Sequence, residues 1–137
     1  MKKPWIVSTT IVGLIYFVIA YGSVLINAAL PDEARPIRFA AWILSAIAFA
    51  VHFWFEEFRR HHSARVTAFH VSIAVAIGAF LLALAATIHA TTVTTHAPYS
   101  RHLIALAAWP AVTAIPAFIV ALLASVLLHS IVRRKLF

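Results

Sequence analysis

Apolar residues fall in four long blocks, and charged residues lie between these blocks, at the chain ends or, for Arg38, at the very start of a block. The blocks cover residues 5–30, 37–55, 66–90 and 103–131. A helix of roughly 20 apolar residues crosses ~30 Å of hydrocarbon, so each block is long enough to span a bilayer, the second only just. None carries Asp, Glu, Lys or Arg in its interior. Transmembrane β-strands would show as short alternating segments, and none are present. The pattern predicts an all-α integral membrane protein with four transmembrane helices in an antiparallel bundle, forming a single domain over residues 1–137. The first block is too long and too aromatic for a cleaved signal peptide, with Tyr16, Phe17 and Tyr21 inside it.

Prolines and polar clusters mark the helix ends. Pro4 precedes the first helix, Pro31-Asp32-Glu33 ends it, and Pro36 suits the first turn of the second. Residues 56–65 read as a short polar loop and 91–100 as a Thr-rich one. Pro110 and Pro116 lie inside the fourth block and predict a kink. In lipid the carbonyls they free need other donors, and Thr113 is positioned to supply one.

Composition agrees with the block pattern. Hydrophobic residues make up 64% of the 137 and charged residues 11%; a soluble domain is about one quarter charged. The formal charge of +7 reflects topology, because the basic residues are spread over short loops and not gathered on one face. Nucleic acid is therefore not an expected partner, whereas the lipid bilayer is. Lys2, Lys3, Arg59, Arg60, Arg65, Arg133, Arg134 and Lys135 fall on one side; Arg35, Arg38 and Arg101 fall on the other. The positive-inside rule then puts both termini and the middle loop in the cytoplasm. Size and Ala-rich composition suggest a bacterial inner membrane. With no Cys, disulfides and thiolate ligands are excluded.

The two hairpins resemble each other faintly. Val7-Ser8 with Gly13 has a counterpart in Val71-Ser72 with Gly78, and Ala40-Ala41-Trp42 in Ala107-Ala108-Trp109. The offset drifts along the chain, so a duplicated hairpin is an expectation carried by a few positions only.

Small-residue stripes are the expected packing faces, because close approach and interhelical hydrogen bonds drive association in lipid. Helix 1 aligns Thr9, Gly13, Tyr16, Ser23 and Asn27, either a packing stripe or a pore lining. Helix 2 aligns Ala41, Ser45, Ala48 and His52. Helix 4 aligns Ala107, Ala111, Ala114, Ala121 and Ser125.

Eight histidines are many for so apolar a chain. His52 and Glu56 are one helical turn apart, and His70 and His129 fall at a similar depth. Imidazole with carboxylate is a ligand set for zinc or non-haem iron, so His52, Glu56, His70 and His129 are the metal candidates. Paired histidines also raise haem b, through His70 with His129 or His52 with His70 on one side, and His89 with His102 on the other. The spacing matches no established motif, and no cofactor is predicted outright. No catalytic set is legible. The expected function is an accessory, assembly or regulatory subunit acting through helix packing, as a homo-oligomer or with a membrane protein partner. A small oligomeric channel or transporter is the first alternative, and a haem- or metal-binding redox protein the second.

Overall fold

A computed structural model describes residues 4–59, 62–93 and 99–135. Lys2, Lys3, His61, His96 and the rest of residues 94–98 lie outside the described residues. Four helices follow in order: α1 Pro4–Ala29, α2 Ala34–Trp54, α3 Ala64–Val93 and α4 Tyr99–Lys135. All four are long and apolar enough to cross a membrane, and they pack against one another.

Pro4 opens α1, where a missing N–H costs nothing. A 3-10 turn, Pro31–Glu33, joins α1 to α2, with the Glu33 N–H donating to the Leu30 carbonyl at 3.1 Å. The Ser63 carbonyl starts α3 by accepting from the N–H groups of Val66 and Thr67. α2 ends differently from the sequence expectation. It continues as a π-helical turn, Phe55–Arg59, so Glu56 and Glu57 stay on the helix and do not enter a wet loop. The extra residue per turn widens the helix there, a device concentrated at functional sites.

α3 is the central element. It carries most of the buried residues, including Ala68, Val71, Ala74 and Gly78. It runs parallel to α1, because Trp5 meets His70 and Gly13 meets Gly78. α1 and α2 are antiparallel: Ser8 and Phe55 wall one end of their shared groove, Ser23 and Arg38 the other. α3 and α4 are antiparallel too, Ala86 lying by Ala105 at one end and Ala68 by Ala121 at the other. Two ends can therefore be named: a basic end with Pro4, Arg59 and Arg65, and a far end with Ala29, Arg38 and Arg101.

The stripes sort by helix. On α2, Ala41, Ser45, Ala48 and His52 all lie on the covered side, as their spacing predicts. On α4, Ala107 and Ala111 are exposed instead. The covered face there is Pro110, Thr113, Ala117, Ala121 and Ser125. α4 remains helical through both prolines. The Thr113 hydroxyl donates to the Trp109 and Pro110 carbonyls at 2.9 and 3.1 Å. Those differ from the carbonyls of Leu106 and Val112, four residues before each proline, which were its expected partners.

Among the described residues the backbones of α2 and α4 stand apart and meet mainly through side chains. Between them lies a cavity of about 490 Å³, walled by Tyr16, Ser45, Phe49, Gly78, Trp109 and Pro116 among others. Below it, Phe49, Phe53, Val71 and Phe118 form an apolar plug. Between its two charged ends the outside is largely apolar, with Trp42 79% and Phe39 68% exposed. Such a surface is far beyond the patches a water-soluble monomer shows.

The α1–α3 crossing depends on its glycines. A Cβ on Gly78 would lie 2.6 Å from the Tyr16 Cβ and 3.0 Å from the Gly13 carbonyl, neither of which can swing aside. A Cβ on Gly22 would meet nothing within 4 Å. Gly78→Ala is expected to destabilise the bundle by about 1–3 kcal/mol through overpacking. Gly22→Ala is expected to be neutral or stabilising by up to ~1 kcal/mol. Thermal unfolding of both variants in detergent, followed by circular dichroism, checks the pair.

Candidate cation site at the basic end

The π turn carries two adjacent carboxylates into the bundle. Glu56 has no exposure and Glu57 is 7% exposed. Neighbouring residues on a helix point about 100° apart, and the two carboxylates accordingly take different partners. Glu56 faces α1 and α3; Glu57 faces α4.

Glu56 is held from three helices. His70 Nδ1 of α3 lies 2.8 Å from Oε2. The Ser8 hydroxyl of α1 lies 3.2 Å from Oε1 and also 3.0 Å from the Trp5 carbonyl. His52 Nε2, one turn back on α2, lies 3.9 Å from Oε1. The His70 ring is fixed in turn. Trp5 stacks flat on it at 4.6 Å with planes 3° apart, and His62 meets it edge-on at 5.3 Å. Donor atoms of Glu56, His62 and His70 lie within 4.8 Å of one another.

Glu57 forms a separate clamp. The Ser125 hydroxyl lies 2.9 Å from both its oxygens. His129 Nδ1 lies 3.2 Å from Oε1 and 2.8 Å from the Ser125 carbonyl. Ser125 is fully buried, whereas the His129 side chain is mostly exposed. This clamp ties the end of α2 to α4, two elements that part above it.

The structure thus brings together three of the four residues the sequence singled out, His52, Glu56 and His70. It puts the fourth, His129, on Glu57. Residues 56 and 57 are buried, where a polar loop was expected. Trp5, Ser8, His62, Glu57 and Ser125 complete the two clusters without having been read as site residues. Ser8 and Glu56 are 48 positions apart and Ser125 and Glu57 are 68 apart, so no local spacing announces these pairs. Of the α1 stripe, Thr9 is buried, Gly13 lies at the crossing and Tyr16 walls the cavity. Ser23 bonds its own Ala20 carbonyl, and Asn27 is partly covered.

The donor set suits an ion better than a macrocycle. A bis-histidine haem needs two imidazoles across an open slot. The 490 Å³ cavity has no histidine in its wall, and the rings of Trp5 and His62 fill the space beside the His70 imidazole. His89, from the other proposed pair, is exposed. A carboxylate with imidazoles is instead the ordinary shell of a borderline divalent metal.

Comparison of the chain with protein-family models, with curated proteins and with solved structures finds no match.

The Ser125–Glu57 contact gives a stability test. Ser125→Ala leaves a buried carboxylate short of a donor and is expected to cost about 1–3 kcal/mol. Ser130 is exposed and bonds only its own helix, at the Leu127 carbonyl, so Ser130→Ala is expected within about 0.5 kcal/mol of wild type. Denaturant unfolding of the two variants in detergent separates the cases.

Proposed function

We propose that the chain is an integral membrane protein that binds a cation at Glu56, with the basic end in the cytoplasm. Four spanning-length helices with an apolar exterior support membrane insertion, and the distribution of Lys and Arg supports the orientation. The observation that carries the functional reading is Glu56 itself. It is a fully buried carboxylate where α1, α2 and α3 converge, with imidazoles on two sides. Ionisable groups inside membrane bundles are costly and mark ion sites, relays or substrate paths.

Two measurements test these statements. The chain has no cysteine, so Ser63→Cys and Asp32→Cys report orientation without background. Ser63→Cys is expected to react with an impermeant maleimide only after permeabilisation of cells, and Asp32→Cys without it; the reverse pattern overturns the orientation. For the site, a cation at about 100 times its dissociation constant stabilises the folded state by ~2.7 kcal/mol. At least one cation from a panel of sodium, potassium, magnesium, calcium and zinc is expected to raise the melting temperature of the detergent-solubilised protein by several degrees. Glu56→Gln is expected to abolish that rise. No rise in wild type, or the same rise in Glu56→Gln, overturns the reading.

A further inference from the structure

We infer that Glu56, His62 and His70 bind a divalent transition-metal ion of the zinc class, reached from the basic end. The inference rests on the cation reading above and names the ion. The three side chains come from the end of α2, the α2–α3 connection and the second turn of α3. Their donor atoms already lie within 4.8 Å of one another. Ligands about 2.0–2.2 Å from a tetrahedral ion are separated from each other by roughly 3.4 Å. Closing the set therefore needs side-chain shifts of the order of an ångström and leaves the backbone in place. His62 is only partly buried and begins the connection into α3, so it can make that adjustment. Glu56 and His70 are held by Ser8 and Trp5. Two ligands are thus fixed by packing and one is adjustable.

The chemistry selects the ion class. Magnesium and calcium take shells of oxygen ligands, and this set offers one carboxylate and two imidazoles. Copper(I) prefers thiolate and thioether, and the chain has no Cys and a single Met. Zinc, cobalt(II) and iron(II) accept nitrogen with oxygen. His52 packs beside the carboxylate, its Nε2 3.9 Å from Glu56 Oε1. The 2.8 Å contact between His70 Nδ1 and Glu56 Oε2 is closer than two ligands of one ion stand. A metal held by Glu56 and His70 together therefore parts these two atoms.

The test uses the full chain in detergent, titrated with zinc by calorimetry and with cobalt by absorption. One ion per chain and a tetrahedral-type cobalt spectrum are expected, with no competition from magnesium or calcium. His62→Ala, His70→Ala and Glu56→Gln are each expected to weaken binding at least tenfold, whereas His89→Ala and His129→Ala leave it unchanged. In a Trp42, Trp54 and Trp109→Phe background, cobalt is expected to quench Trp5, and His70→Ala to remove the quenching. His62→Ala lies outside the buried core, so it reports even where Glu56→Gln fails to fold. No binding by folded wild type, or binding that survives both His62→Ala and His70→Ala, overturns the inference. If zinc fails while another cation still stabilises the protein through Glu56, the metal assignment falls and the broader reading stands. If no cation acts through Glu56, both fall.

Discussion

A carboxylate sealed inside an apolar bundle is the constraint around which the basic end is organised. Taking such a group out of water costs several kcal/mol unless donors replace the lost hydration. Here the donors come from separate helices: His70 from α3 and Ser8 from α1. His70 is fixed by the flat face of Trp5, and Ser8 shares its one hydroxyl proton between Glu56 and the Trp5 carbonyl. The polar contacts therefore align three helices at one level. Glu57 and Ser125 add the fourth at the same level.

Further along the bundle, helix association is set by shape. Gly13 and Gly78 let α1 and α3 approach until each backbone nearly touches its partner. The two glycines are 65 positions apart, and so are Trp5 and His70, which also meet. A constant offset of contacts is what a parallel pair of helices in register produces. α4 packs on the opposite flank of α3 through Thr113, Ala117, Ala121 and Ser125. α2 is fastened mainly through α1 and through its own carboxylates, and this leaves the cavity open along α4.

Much of the architecture was legible because length and hydropathy act locally. The four blocks give the four helices, and the His52–Glu56 pair follows from a single helical turn. The covered face of α2 follows from small residues at spacings of three and four. What stayed hidden was non-local or depended on backbone detail. The π turn that keeps Glu56 and Glu57 on the helix has no sequence mark beyond an acidic pair at a helix end. That pair reads more simply as a wet loop. Ser8 and Ser125 look like ordinary small residues until folding brings the carboxylates to them. On α4, alanine is so frequent that a stripe through Ala107 and Ala111 was as plausible as the true face one position away. Thr113 satisfies its own turn, so its chemistry was anticipated but its carbonyl partners were not.

The parallel course of α1 and α3 has an electrostatic consequence. Glu56 and Glu57 sit at the C-terminal end of α2, where exposed carbonyls make acidic side chains unwelcome. Two other helices begin at that level, since Ser8 and His70 lie in the second turns of α1 and α3. Their amide-rich starts present partial positive charge toward the same region. The C-terminus of α4 also lies at this end but ten residues beyond Ser125, so the starts of α1 and α3 chiefly oppose the end of α2, an advantage an antiparallel α1–α3 pair would have cancelled.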